Sequence, residues 1–325
     1  MTTKSRVVGA QRILRPTKST VLFLVFSSSS LCSYCQSSMH AVETSCDHLI
    51  FAGSMNKKIL KKAWKWFKIT VLIYILFGVA LYFLQDLLIF HPRKLREDYN
   101  YNFSIPFREV NLAVTTDKNL SIVQFTVPDS IRKGIVLYFH GNRQNINRYA
   151  PNATQFTRNG FEVWMIDYPG YGKSTGKRSE SILYEDAKIF YKMANSQVPV
   201  ERIIIYGKSL GTGIAAQLAS VRDCKRLILE TPYYSMDALA RHYFFIYPVM
   251  PMTKYAFPTF EYFEFIRAPI SIFHGTRDEV IPYRHSKRLL EKKPGSELIT
   301  IEKGKHNNLV GYPLFHRKLD SLLQL

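Results

Sequence analysis

Cysteine is scarce in this chain, which has four among its 325 residues. Cys32 and Cys35 have the C-x-x-C spacing of some zinc and redox sites, but no second pair follows and no βαβ pattern surrounds them. We therefore expect neither a metal site nor a cofactor. Cys224 is the single cysteine after residue 54, which excludes a disulfide within the C-terminal part of the chain.

Acidic residues are also few, with 25 Asp and Glu against 44 Lys and Arg and a net charge of +19. An excess of positive charge is typical of proteins that bind nucleic acids or anionic membranes. Its position distinguishes the two partners. Residues 57–68 contain six lysines and no acid, and an apolar segment follows directly. A lysine cluster beside an apolar segment is typical of a membrane flank, so we expect a membrane partner and no nucleic acid.

No charged residue interrupts residues 69–84, and the segment continues through Gln85 and Asp86 to the apolar residues 87–90. The uncharged part is slightly shorter than the roughly 20 residues that cross a bilayer. Aromatic residues, which favour membrane interfaces, flank it: Trp64, Trp66, Phe67, Tyr82 and Phe83. A buried core helix and a signal peptide are the alternatives, and the second lacks a small-residue cleavage site. We predict a single transmembrane helix at residues 69–90, after a basic segment at residues 55–68.

The flanking charges indicate the orientation of this helix. Lysines crowd its N-terminal side, whereas the charges on its other side are mixed: Arg93, Lys94 and Arg96 against Glu97 and Asp98. Positive flanks stay in the cytoplasm. We therefore predict a single-pass membrane protein with a cytoplasmic N-terminus and an extracytoplasmic C-terminal domain.

Residues 1–54 form an extension before this segment. Their apolar run at residues 21–26 is too short to span a membrane. Met55 begins a stretch that looks like the start of a membrane-anchored protein. We expect residues 1–54 to be disordered, processed or an over-extended gene start.

Strand and helix patterns alternate over residues 100–325. Apolar runs of strand length occur at residues 110–115, 120–127, 134–139, 161–166, 202–206, 226–229, 269–273 and 297–301. Helical patterns occur at residues 146–159, 181–195, 283–292 and 314–323 and directly after Ser209. The first two strands are expected to pair antiparallel. The alternation of the others indicates a mostly parallel sheet with helices on both faces.

The motif G-x-S-x-G occurs twice, at residues 207–211 and 172–176. The copy around Ser209 follows an apolar strand and precedes the small residues of a helix, which is the context that exposes a serine nucleophile. The copy around Ser174 follows a glycine-rich loop and precedes a polar stretch, so we predict a loop residue there. Both copies contain Gly-Lys-Ser, but the first glycine of a P-loop is missing from both, which excludes that nucleotide site.

A serine nucleophile needs a base and an acid that orients the base, in the chain order Ser, acid, His for this kind of turn. His306 lies in a loop after the last predicted strand and is the predicted base. Asp278 follows the strand at residues 269–273 and is the predicted acid, with Glu230 as the alternative. His274 ends its own strand, where we expect a structural hydrogen bond.

An oxyanion hole needs two backbone N–H donors. Leu210, directly after the nucleophile, is the first predicted donor. The second is Asn142, which lies with His140 and Gly141 in the loop after the strand at residues 134–139. We expect His140 to brace this loop.

The sequence at residues 232–268 interrupts the alternation of strands and helices. It is dense in aromatic residues and methionine, and Pro248, Pro251 and Pro258 within it exclude a single long helix. Two interpretations remain open. The insertion is a cap that packs on the domain, or it is an apolar lid over an acyl pocket that contacts the membrane.

Five motifs carry a resemblance to a known family: Leu137-Tyr-Phe-His-Gly-Asn142, Asp167-Tyr-Pro-Gly-Tyr-Gly-Lys-Ser174, Gly207-Lys-Ser-Leu-Gly211, His274-Gly-Thr-Arg-Asp278 and Gly304-Lys-His306. Over roughly residues 70–325 the chain resembles the α/β-hydrolase superfamily, and within it the membrane-anchored branch that includes acyl-protein thioesterases and peptidase-like serine hydrolases. The resemblance implies the α/β-hydrolase fold, with Ser209 as nucleophile, Asp278 as acid and His306 as base. Pro169 departs from the family pattern, which has Arg at that position.

The sequence and the resemblance together predict a membrane-anchored serine hydrolase. Its expected substrate is an ester or thioester with an apolar acyl group, carried by a small molecule or a lipidated partner. A peptidase or an acyltransferase with the same triad is the alternative, followed by a catalytically silent binding protein. The oligomeric state stays open.

Overall fold

The computed structural model describes residues 57–324. Internal contacts divide the chain into two units, Met1–Phe67 and Lys68–Leu325. Of the first unit, the structure describes residues 57–67, which begin helix α1 (Lys57–Phe83). The expectations for residues 1–54, including those for Cys32 and Cys35, lie outside the described residues.

The predicted segment at residues 69–90 consists of two helices, because α1 ends at Phe83 and α2 (Gln85–Ile89) follows. The interruption lies beside Gln85, whose side-chain amide donates to the Tyr82 carbonyl. In a continuous helix, that carbonyl accepts the N–H four residues ahead. Within the described residues, α1 is the one helix long and apolar enough to cross a membrane, with a mean hydropathy of 1.9 over 18 residues.

Ten strands follow the two first helices: β1 (His91–Pro92), β2 (Phe107–Thr115), β3 (Lys118–Phe125), β4 (Gly134–Phe139), β5 (Arg143–Gln144), β6 (Phe161–Ile166), β7 (Ile203–Lys208), β8 (Arg226–Glu230), β9 (Ile270–Gly275) and β10 (Glu297–Ile301). Eight form one sheet in the order β10-β9-β8-β7-β4-β6-β3-β2. The pairs from β10 to β6 are parallel, while β3 pairs antiparallel with β6 and with β2. Strands β1 and β5 pair separately.

The other helices are α3 (Ile146–Tyr149), α4 (Thr154–Thr157), α5 (Glu180–Asn195), α6 (Gly211–Val221), α7 (Met236–Tyr243), α8 (Val249–Met252), α9 (Thr259–Tyr262), α10 (Arg284–Lys292) and α11 (Pro313–Gln324), with 3₁₀ turns at Asp129–Ile131, Ala150–Ala153, Val200–Arg202 and Leu309–Gly311. Two apolar cores cover the sheet. Leu137 packs in one core with Phe190 of α5, and Tyr138 packs in the other with Phe315 of α11. Because neighbouring strand residues point to opposite faces, helices cover both faces, as predicted.

The bounds of several elements match the sequence pattern. Strands β4, β6 and β10 begin and end where predicted, and β2 and β3 form the expected antiparallel pair. The single helix predicted at residues 146–159 is wrong: α3 and α4 flank a 3₁₀ turn there. Pro151 lies in that turn, and a proline supplies no N–H to continue an α-helix.

The insertion at residues 232–268 contains three short helices, α7, α8 and α9. One part of it is buried against α6, where Tyr233 and Phe257 lie around Gly213. Another part is exposed: 80% of Phe245 and 64% of Met250 are accessible to solvent. The insertion is therefore neither wholly core nor wholly surface.

Candidate active site

Ser209 occupies the tight turn between β7 and α6 with a φ of 51°, a left-handed conformation that is unusual for a residue other than glycine. The turn depends on two glycines. A Cβ at Gly207 would lie 2.7 Å from the Ala215 Cβ, and one at Gly211 would lie 2.1 Å from the Phe139 carbonyl oxygen. These close approaches bring the helix against the strands and hold the Ser209 side chain above the sheet edge, as in a nucleophile elbow.

His306 lies between Ser209 and Asp278. Its Nε2 is 2.9 Å from the Ser209 Oγ, and its Nδ1 is 2.8 Å from the Asp278 Oδ2. The carboxylate accepts the Nδ1–H, so Nε2 is free to accept from the Ser209 hydroxyl. Asp278 follows β9 and His306 follows β10, at the carboxyl edge of the sheet. The structure thus brings together the three residues that the sequence placed far apart.

The Asp278 carboxylate is held on both oxygens. The backbone N–H groups of Val280 and Ile281 donate to Oδ1 at 2.8 and 2.7 Å. His274 Nε2 lies 3.2 Å from Oδ2, which also accepts from His306. Burial alone would raise the pKa of Asp278, but the hydrogen bonds from His274 and His306 outweigh it and keep the pKa below its usual value. The carboxylate is therefore ionised at neutral pH.

His274 has a role beyond the structural hydrogen bond predicted for it. It is fully buried, and its Nε2 lies 2.8 Å from the Ile281 carbonyl oxygen as well as beside Asp278. Both neighbours are acceptors, so the proton is on Nε2, and Nδ1 accepts from the Ser286 hydroxyl at 2.6 Å. His274 therefore helps to orient Asp278, at the same carboxylate oxygen that accepts from His306. The spacing His274-x-x-x-Asp278 was the available sequence signal.

The two predicted oxyanion donors, Leu210 and Asn142, line one cavity with Ser209. The segment after α2 fixes the Asn142 loop: the Asn142 side chain donates to the Ile89 carbonyl at 2.8 Å, and its carbonyl accepts from the His91 N–H at 2.9 Å. His140 lies in the same loop, with its Nδ1 2.7 Å from the Gly141 carbonyl oxygen. The expectation that His140 braces this loop is confirmed.

The serine of the second G-x-S-x-G copy and the alternative acid have other hydrogen-bond partners. Ser174 is in a loop, as predicted, where its hydroxyl donates to the Asp167 carbonyl at 2.7 Å and accepts from the Ser121 N–H. The Glu230 carboxylate accepts from the Lys208 ammonium and the Tyr206 hydroxyl. Among residues 57–324, no group of three His, Cys, Asp or Glu side chains is arranged to hold a metal ion.

A cavity of about 290 Å³ leads away from Ser209. Its lining is almost wholly apolar and comes from three parts of the chain: Leu81, Tyr82, Gln85, Leu88 and Ile89 of α1 and α2; Asn142, Leu210, Val280 and Ile281 beside the triad; and Tyr233, Met236, Leu239, Ala240, Tyr243, Phe244, Tyr247, Val249, Met252 and Thr253 of the insertion. The insertion thus supplies ten of the residues that line the cavity. No sequence pattern indicates that α1 and α2 form one of its walls.

Known proteins resemble this chain in sequence and in structure. A family model described as serine aminopeptidase, S33, matches residues 130–262. The α/β-hydrolase domain-containing protein aho-3 of Caenorhabditis elegans is 33% identical over 200 residues, which cover 58% of this chain and 57% of the relative. The α/β-hydrolase domain-containing protein 17C of Xenopus tropicalis is 31% identical over 194 residues, 58% of this chain and 61% of that one. The chain thus matches about three fifths of the length of these relatives.

A solved structure has the same fold. An esterase from Pyrococcus furiosus superposes with a TM-score of 0.58 at 19% identity, over 73% of this chain and 97% of the esterase. Its identity is too low to carry an activity across. The sheet order and the elbow at Ser209 show that the chain has the α/β-hydrolase fold, and in sequence it is similar to α/β-hydrolase domain-containing proteins.

Proposed function

We propose that this chain is a membrane-anchored serine hydrolase that cleaves an ester or thioester with an apolar acyl group. One observation carries the proposal: the hydrogen-bonded series Ser209, His306, Asp278 ends at the wall of an apolar cavity. The series supplies an activated nucleophile, and the cavity supplies a place for the acyl chain.

The geometry supports a two-step reaction. His306 Nε2 takes the proton of the Ser209 hydroxyl as Oγ attacks the carbonyl carbon, and Asp278 stabilises the imidazolium. The N–H groups of Leu210 and Asn142 hold the oxyanion. His306 then gives the proton to the departing alkoxide or thiolate, and water, activated by the same base, releases the acid from the acyl-enzyme.

The family model favours a second function, an aminopeptidase. Such an enzyme has to bind the charged α-amine of its substrate, and a buried charge needs a partner. The cavity lining among the described residues contains no carboxylate. An uncharged acyl chain therefore fits this lining better than the N-terminus of a peptide.

The membrane anchor is part of the proposal. Helix α1 has the length, the apolar character and the lysine-rich flank of a transmembrane segment. The positive flank favours a cytoplasmic N-terminus, with the domain that carries Ser209 on the other side of the membrane.

A fluorophosphonate probe, which reacts with activated serines, tests the nucleophile. Ser209→Ala should abolish labelling with the fold kept. Ser174→Ala is the matched control from the second G-x-S-x-G copy. It leaves the buried Ser121 N–H without its partner, at a cost of about 1–3 kcal/mol of stability, but the folded protein should label normally. Labelling that depends on Ser174 instead would overturn the assignment. A panel of acyl esters, thioesters and peptides then distinguishes the two activities.

A further inference from the structure

The exposed part of the insertion docks on the proposed anchor. We define residues 243–254 as the lid segment. The Tyr247 ring stacks on the Tyr74 ring of α1, with centroids 4.5 Å apart and planes 3° apart. The Tyr247 hydroxyl donates to the Tyr74 carbonyl at 3.0 Å, and the Tyr74 hydroxyl donates to the Ile246 carbonyl at 2.8 Å. A Cβ at Gly78 would lie 3.0 Å from the Tyr247 ring, so Gly78 leaves room for this contact.

These contacts lie well before the C-terminal end of α1. Tyr74 and Gly78 are nine and five residues before Phe83, the last residue of α1, or about 8–14 Å along its axis. Lys254 at the end of the lid segment lies beside the end of α1, with Nζ 5.0 Å from the Tyr82 ring centroid and 4.0 Å from the Asp86 Oδ2. A charged pair beside tyrosine is typical of a membrane interface. If Tyr82 lies at the interface, Tyr247 lies at the depth of the acyl chains.

The composition of the lid segment fits that depth. Residues 243–253 contain no charged side chain, while Arg241 precedes them and Lys254 follows them. Phe245, Ile246 and Met250 are 80%, 60% and 64% exposed. Water disfavours this much exposed apolar surface in one short segment, whereas lipid chains accept it.

Backbone N–H and C=O groups of the lid segment have hydrogen-bond partners within the protein, which burial in hydrocarbon requires. Non-helical backbone persists at membrane depth only where protein groups pair with it. Gln85 supplies two such bonds: its side-chain amide donates to the Met252 carbonyl, and its oxygen accepts from the Lys254 N–H at 2.8 Å. The Tyr247 N–H bonds to the Phe244 carbonyl at 3.0 Å. Two further positions, Pro248 and Pro251, have no N–H to satisfy.

We propose that the lid segment inserts into the bilayer beside α1, so that the active-site cavity opens toward the lipid acyl chains. The inference rests on the proposed anchor. Leu81, Leu88, Tyr247 and Val249 line the cavity between the anchor and the lid segment. An acyl chain of a bilayer-embedded amphiphile then passes from the lipid to Ser209 without crossing water. The substrate class is an ester or thioester whose acyl chain resides in the membrane.

Depth-dependent quenching tests the insertion. The four cysteines are replaced by serine, and a single cysteine at Phe245 or Met250 is labelled with an environment-sensitive fluorophore in the full chain, reconstituted in phosphatidylcholine vesicles. Ile131 is the matched control, because it is 54% exposed and precedes the amino end of β4, whereas the active site lies at the carboxyl ends of the strands. Lipids spin-labelled on the acyl chain should quench the probes at 245 and 250 at least threefold more than the probe at 131. Equal quenching at all three positions would overturn the insertion.

Two further measurements separate this inference from the proposals on which it rests. Carbonate extraction tests the anchor alone, because it removes proteins that do not span the membrane. If the chain resists extraction but its probes are not quenched, the anchor is supported and the insertion of the lid segment is contradicted. The double variant F245D/M250D tests the route of the substrate. It should lower kcat/KM at least tenfold for a long-chain ester presented in vesicles and change turnover of a short soluble ester less than twofold. A parallel loss on both esters would contradict the lipid route.

Discussion

Asp278 is contacted by four donors, two backbone N–H groups and two histidines. Of these, the bond to His306 selects the imidazole tautomer that accepts from Ser209. Asp278→Asn replaces the Oδ2 acceptor beside His306 with an amide NH₂ donor, which disfavours this tautomer, and should lower kcat by up to about 10⁴-fold, as the same change does in related triads. Steady-state hydrolysis of an acyl ester, normalised to folded protein, measures the effect.

Glu230→Gln is the control for this prediction. It breaks the ion pair with Lys208 and should reduce stability by about 3–5 kcal/mol, because a buried charge loses its partner. The folded fraction should keep most of its kcat. A mild effect of Asp278→Asn together with a crippling effect of Glu230→Gln would reassign the acid.

His285 supplies a second prediction at this scale. Burial lowers the pKa of His285 to about 4, with the nearby Arg284 and Arg288 adding to the effect. Its Nδ1 accepts from the Tyr234 N–H at 3.1 Å, and a protonated ring cannot accept. The unfolded chain takes up a proton near pH 6.5, so the native state is disfavoured as the pH falls from about 6.5 to about 4. The loss is on the order of 3 kcal/mol.

The His285→Gln variant isolates that contribution, because an amide oxygen accepts the same N–H without titrating. Chemical denaturation in detergent at pH 7 and pH 5 should show a smaller loss of stability for His285→Gln than for the unmodified chain. An identical pH dependence in the two proteins would refute the role of His285.

The residues of the site were predictable to different degrees. Ser209, Asp278 and His306 each follow a strand in a fixed chain order, so local patterns and topology locate them. The contact of His274 with Asp278 depends on the path of the turn between them. The engagement of Glu230 by Lys208 depends on the register of β7 against β8, which pairs those two residues. Tertiary geometry, absent from a single sequence, decides both.

Among the elements, the elbow between β7 and α6 leaves little space for an added side-chain atom. Gly207→Ala places a Cβ 2.7 Å from the Ala215 Cβ and from the Gly211 carbonyl oxygen, and should cost about 1–3 kcal/mol or more. Gly311→Ala is the control, since nothing lies within 4 Å of its new Cβ, and it should change stability by less than about 0.5 kcal/mol. Thermal unfolding measures both. Equal shifts would mean that the elbow relaxes.

Two neighbouring aromatic residues of the lid segment, Phe244 and Phe245, have different surroundings, so their variants form a matched pair. Phe244 lines the cavity, whereas Phe245 is 80% exposed. If the cavity holds the acyl chain, kcat/KM should rise with chain length, since each buried methylene contributes about 0.8 kcal/mol. Phe244→Ser should flatten this rise for soluble esters, and Phe245→Ser should leave it unchanged. A flat profile in the unmodified enzyme with efficient peptide cleavage would favour the peptidase.

Local sequence patterns predict some of the secondary-structure elements but not the contacts between distant ones. Buried strands such as β4 and β6 were located to the residue, because a parallel strand covered on both faces is a continuous apolar run. The helical pattern at residues 146–159 does not reveal the 3₁₀ turn that contains Pro151. The packing of α1 and α2 against the lid segment joins residues about 170 positions apart, such as Gln85 and Lys254, and no local pattern records it.

At the scale of the whole molecule, a lysine-rich flank, an apolar helix and a hydrolase domain follow one another along the chain. The order matters for where the reaction takes place. In the proposed topology, lysines within residues 57–68 resist translocation, and the domain beyond α1 crosses the membrane. Substrate presented on the far side would then reach Ser209, and substrate confined to the cytoplasmic leaflet would not.

Protease digestion tests this topology. Protease added to intact cells or spheroplasts should degrade the domain that contains Ser209, while a cytoplasmic marker survives. Replacing the six lysines of residues 57–68 by glutamine should lower the accessible fraction, because the bias that orients the helix is removed. Replacing Arg93, Lys94 and Arg96 by glutamine is the control and should leave the fraction unchanged or higher. Protection of the domain until lysis would reverse the orientation, and its release by high salt alone would exclude a spanning helix, because salt screens charge contacts without extracting an apolar helix.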